Sequence, residues 1–107
     1  IHCDEFQTQG TDKIAERIKK RVGNNPLYLS IDIDVLDPAF APGTGTPEIA
    51  GMTTREMVNV LRGLSGLNLM SADVVEVAPA YDHAEVTSLA AATIIYELTN
   101  LFAKIDR

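Results

Sequence analysis

Hydrophobic positions along the chain switch between two periods, and the switching gives the order of elements. Over residues 12–22, Ile14, Ile18 and Val22 recur at spacing four with Arg and Lys between them, which predicts an amphipathic helix. Thr11 is placed to cap its start, and Gly23 followed by Pro26 to end it. Residues 27–34, LYLSIDID, predict a strand, apolar enough before its acids to be buried on both sheet faces. Residues 35–52 show no period and carry Pro38, Pro42, Pro47, Gly43, Gly45 and Gly51. So long an irregular run between two clear elements is expected to be a functional loop. A second helix is predicted from Thr53. Thr53 and Glu56 have capping-box spacing, and Met52 and Met57 that of a hydrophobic staple. Met57, Val60, Leu61 and Leu64 form its apolar face, and Gly63 and Gly66 close it. Residues 69–77, LMSADVVEV, predict a second strand. Asp82, with Glu85 three positions on, is the expected cap of a third helix running to about Lys104. Its apolar stripe is read as Leu89, Ala92, Ile95, Leu98 or Thr99, and Phe102.

The order α-β-α-β-α predicts an α/β fold, a three-layer α-β-α arrangement on a parallel sheet with right-handed crossovers. Two strands make a poor sheet, because its edges need more chain, a partner or water. Together with an opening at Ile1 rather than Met, this points to a piece of a larger domain. Composition narrows the partners. Nine Lys and Arg against fifteen Asp and Glu give a net charge of −6. That balance argues against nucleic acid and against anionic membranes, both of which need a basic footprint. No uninterrupted apolar run reaches the ~18 residues of a membrane span, and nothing at the start resembles a signal peptide. The lone Cys3 excludes an intrachain disulfide framework and is read as inert.

The chemistry concentrates at the strand ends. Asp32 and Asp34 alternate with Ile31, Ile33 and Val35, so a strand would put both carboxylates on one face at its C-terminal end. Ligands of open α/β sheets bind there. Two close carboxylates repel unless a cation, a shared proton or an Arg lies between them, and hard oxygens suit Mg or Mn. The plainer alternative has one acid capping the next turn and the other solvated. The loop DPAFAPGTGTPE can present the Thr44 and Thr46 hydroxyls, and Gly43 and Gly45 allow close approach to its backbone. It is not a P-loop, because no Gly-Lys-Ser/Thr follows. Glu76, in VVEVAP, is read as a carboxylate inside an apolar strand that must be paired. A guanidinium fits it best, being matched bidentately; an ion pair with one of the chain's own bases is the alternative. His83 is read as a solvated helix-start histidine rather than a proton shuttle or ligand.

These residues resemble a known family. SIDIDVLDPAFAPGTGTPEIAGMT looks like the C-terminal signature of the ureohydrolases, the arginase and agmatinase group, and DVVEVAPAYD resembles the family's second characteristic segment. The resemblance runs from about Tyr28 to Ala92, and PGTGTPEIAG and EVAPAYDHAEVT are closer to the agmatinase branch. It implies an arginase-like fold, with residues 1–107 as the C-terminal part of a single catalytic domain. It further implies hydrolysis of a small guanidino substrate, agmatine to putrescine and urea, at a centre of two Mn(2+) ions. Asp32 would bridge the metals and Asp34 would bind one. Thr46 and Glu76 would lie at the guanidinium, with Glu76 orienting it for attack by metal-activated water. The family's other ligands, a histidine and a D-A-H-x-D-type segment, would lie upstream, so this piece is expected to be inactive alone and homo-oligomeric when complete. Two alternatives stand beside this reading. One is a haloacid-dehalogenase-type phosphotransferase with Asp32 as nucleophile; the other is a non-catalytic association module.

Overall fold

The structure is a computed structural model that describes residues 1–104. Its elements are α1 (Cys3–Gln9), α2 (Thr11–Val22), β1 (Leu27–Asp32), α3 (Thr54–Gly63), β2 (Leu69–Val75) and α4 (Val86–Ala103), with short 3-10 turns at Ile33–Val35 and Pro79–Tyr81. The predicted order therefore holds, with one helix added at the start. That helix is too short for its periodicity to register. Cys3 and Phe6 pack against the core, and Glu5 pairs with Arg17 of α2 at 2.8 Å. Gly10, at φ 80°, is the N-cap of α2, so Thr11 is its first helical residue rather than its cap.

Helix α3 follows its sequence signals closely. Thr53 accepts the Glu56 amide while the Glu56 carboxylate accepts that of Thr53, and Met52 and Met57 are both buried. Gly63 does more than end the helix: a Cβ there would stand 2.6 Å from that of Ala15, so it lets α2 and α3 approach closely.

Strands β1 and β2 pair in parallel, as expected. Each ends two residues sooner than its apolar run. β1 stops at Asp32, where the chain turns into the 3-10 segment; β2 stops at Val75, because Glu76 adopts a left-handed φ of 68°. Nor is β1 buried on both faces. Leu27, Leu29 and Ile31 turn toward the core, while Tyr28 and Ser30 are exposed. The core joins Ile14 and Ala15 of α2, Met57, Val60 and Leu61 of α3, and Ala90, Ile94, Leu98 and Leu101 of α4 to Ile31 and Leu69 of the sheet.

The predicted stripe of α4 is corrected. The buried positions are Thr87, Ala90, Ala91, Ile94, Glu97, Leu98 and Leu101, whereas Leu89, Ala92 and Ile95 are exposed. An element apolar on all sides gives periodicity nothing to read. Among the described residues, α4 is also the one helix long and apolar enough to cross a membrane by length and composition. Its packing on α3 and β2, and a buried Glu97 held by Arg62 at 2.8 Å, are those of a core helix.

Candidate metal and substrate site

Parallel pairing sets Asp32 opposite Val75, so the last residue of β1 and the first residue beyond β2, Glu76, leave the same edge of the sheet. The two aspartates do not share a strand face, as alternation had predicted. Asp34 lies in the 3-10 turn, and its amide donates to Asp32 Oδ1 at 3.1 Å. The turn itself therefore brings the pair together. One acid does cap the next turn, as the plainer alternative held, yet each aspartate keeps an oxygen with no hydrogen-bond partner among the described residues. Thr46 reaches back across the loop and donates its hydroxyl to Asp34 Oδ2 at 2.7 Å. Three of the four residues singled out from the sequence are thus joined by direct contacts, and Glu76 stands at the neighbouring strand end.

Glu76 is not inside the strand, and it is exposed rather than buried. Among the described residues the ion pairs are Ile1–Glu5, Arg17–Glu5 and Arg62–Glu97. Among the described residues, therefore, no base takes up its carboxylate. A non-glycine residue in the left-handed region costs about 1–3 kcal/mol and persists where its surroundings impose it.

Those surroundings are a framework that sequence reading missed. Asp37 accepts the Ala39 amide on Oδ1 at 2.9 Å and the Ala50 amide on Oδ2 at 3.1 Å, closing the loop on itself. Both oxygens are thereby engaged. Backbone bonds from Asp37 to Met52 and from Met52 to Val35 seal the loop's neck, where a Cβ on Gly51 would meet the Asp37 nitrogen at 2.6 Å. Gly43 then links three segments. Its amide donates to Thr87 Oγ1 at 2.8 Å, its carbonyl accepts the Ala78 amide at 2.7 Å, and a Cβ there would meet Asp82 and Thr87 at 3.0 Å. The loop bearing Thr46, the segment bearing Glu76 and the start of α4 are locked together at that point. The Asp-Pro step could have announced the Asp37 turn. No local signal connects Gly43 to Thr87.

Asp82 caps α4, though from further out than a capping box. It takes amides from His83, Thr87 and Ser88, and the helix proper begins at Val86. Glu85 makes no reciprocal bond and instead sits left-handed at φ 60°. His83 is exposed, as expected.

In kind, the donors suit a hard divalent cation: two carboxylates with free oxygens at an open sheet edge. In number they fall short. Among the described residues no three His, Cys, Asp or Glu side chains gather at metal-binding spacing.

Comparison with known proteins agrees with the signature. Residues 1–100 match the arginase family. The chain is 51% identical over 107 residues to an agmatinase from Photorhabdus laumondii, covering all of this chain and 35% of that protein. It superposes on a hypothetical agmatinase from Burkholderia thailandensis with a TM-score of 0.92 at 49% identity, over 94% of this chain and 32% of the other. It superposes equally well on the proclavaminate amidino hydrolase of Streptomyces clavuligerus: TM-score 0.95, 45% identity, 97% of this chain and 35% of the other. The chain thus spans about a third of the length of these relatives. The phosphotransferase alternative falls away, and the chain belongs to the arginase family.

Proposed function

We propose that the protein carrying this chain hydrolyses a guanidino compound, agmatine in the first instance, to the amine and urea at a centre of two manganese ions. In this reading residues 1–107 are the C-terminal part of one catalytic domain. The observation that carries it is the meeting of Asp32, Asp34 and Thr46 at the edge where Glu76 emerges, in a chain whose relatives are named agmatinases. Asp32 and Asp34 would hold the ions, with the remaining ligands contributed from outside these residues. When bound, the ions supply the Lewis acidity that makes water a nucleophile near neutral pH. Thr46 fixes the Asp34 carboxylate by donating to Oδ2, and Oδ1, without a hydrogen-bond partner among the described residues, would be available to a cation. Glu76, paired with no base among the described residues, offers the guanidinium fork two anionic acceptors and holds its carbon for attack.

The test separates metal binding from substrate placement. In the complete protein, Glu76→Gln keeps both manganese ions and loses turnover. An amide offers one neutral acceptor and a clashing NH₂, and a charged hydrogen bond is worth about 1.5–3 kcal/mol. That is roughly tenfold to a hundredfold in rate. Manganese content and urea release are measured on the same preparation. Loss of manganese would move Glu76 into the metal shell, and unchanged turnover would remove it from the site.

A further inference from the structure

Resting on that reading, we infer that Asp73 is a positioning residue: it pins the register of β1 against β2 and so sets Asp32 and Glu76 relative to each other. The pairing of the two strands contains an irregularity. Leu27 lies opposite Leu69, but Tyr28 lies opposite Ser71, so Met70 is skipped. The apolar face of β1 resists a slip of one residue, which would send every side chain to the other face, but a slip of two keeps that face toward the core and is left for other contacts to exclude. Beyond the skip, Ser30 pairs with Asp73, Ile31 with Val74 and Asp32 with Val75. Asp73 accepts the Ser30 hydroxyl on Oδ1 at 2.6 Å and the Tyr28 hydroxyl on Oδ2. One carboxylate therefore grips two same-face positions of β1, which a slipped register would not allow.

The location gives the grip its consequence. Asp32 follows Ser30 by two residues, and Glu76 follows Asp73 by three. Both chains then leave the sheet, one into a 3-10 turn and the other through a left-handed residue. Among the described residues no later cross-strand side-chain bond joins β1 to β2 before the site. The same hydrogen bonds, Ser30 foremost and then Tyr28, hold the Asp73 carboxyl below its ordinary pKa, so it is charged at neutral pH. This cluster lies on the face of the sheet turned away from the apolar core, so its polarity is not filler for that core.

The experiment uses the complete protein with Asp73→Ala, Ser30→Ala, Tyr28→Phe and the Ser30→Ala/Asp73→Ala double variant. Backbone hydrogen exchange is followed on peptides covering residues 27–34 and 69–77, and kcat and KM are measured for urea release from agmatine. Asp73→Ala is expected to speed exchange in those two peptides about tenfold, an opening of the strand pair alone, with α2 and α3 unchanged. It is expected to lower kcat about a hundredfold, the order that a small misplacement of reacting groups costs. Ser30→Ala and Tyr28→Phe each remove one bond and fall between. If Asp73→Ala does not fold, these two carry the same comparison. The double variant should be no worse than Asp73→Ala, because the two residues act through a shared bond. Unchanged exchange overturns the inference, as does exchange raised evenly over all peptides. A kcat loss without faster exchange also overturns it and makes Asp73 a direct participant. A wild-type protein that releases no urea from agmatine refutes the proposed function, while the exchange data still decide whether Asp73 pins the register.

Discussion

Asp82 carries four hydrogen bonds: the His83 and Thr87 amides on Oδ1, and the Ser88 amide and hydroxyl on Oδ2. Burial acts to raise its pKa, but the bonds from Thr87, Ser88 and His83 outweigh it and hold the carboxyl well below the usual range. A carboxylate whose folded pKa is depressed stabilises the fold above its unfolded value and loses that contribution as pH falls through the folded one. In the complete protein, Asp82→Asn is therefore expected to be less stable at neutral pH. The gap from wild type should narrow as pH falls below about 4, the ordinary aspartate value. Urea unfolding across pH 2–7 measures this, and a constant gap would contradict it. At this scale the strand ends and the signature named Asp32, Asp34, Thr46 and Glu76 as candidates, and the first three do meet. Their supports could not be named, because Gly43 and Thr87 act through a contact between positions 44 residues apart.

Local signals decided which elements were legible. The cap, box and staple of α3 all lie within six residues of one another, and its start and buried face came out as read. The face of α4 did not, since Leu89, Ile95 and Tyr96 are as apolar as the residues it buries. The strand ends were overrun because backbone conformation, a 3-10 turn at one and a left-handed residue at the other, stops them while the apolar pattern continues. Alongside their apolar packing, α3 and α4 share an ion pair: Arg62 donates from Nε and Nη2 to the carboxylate of Glu97, a residue that is 5% exposed. Removing one partner of such a pair strands a buried charge, whereas replacing both with apolar groups does not. Arg62→Ala should accordingly lower the thermal midpoint of the complete protein more than the Arg62→Leu/Glu97→Leu double variant does. The reverse order would show that Arg62→Ala does not strand Glu97 as an uncompensated buried charge.

The molecule as a whole presents apolar surface on its outside. Leu89 and Tyr96 of α4 are 64% and 66% exposed, and Tyr28 stands 58% exposed on the open face of the sheet. The relatives it matches are about three times as long. We propose that the Asp32–Asp34 turn supplies ligands to a metal centre completed by residues outside this chain. The decisive measurement is manganese content and urea release from agmatine on the complete protein and its Asp32→Ala variant. A bridging carboxylate removed from a cluster leaves positive charge unneutralised. The wild type is expected to hold two manganese ions and release urea, and the variant to do neither. Near-normal metal content and turnover in Asp32→Ala would contradict that proposal.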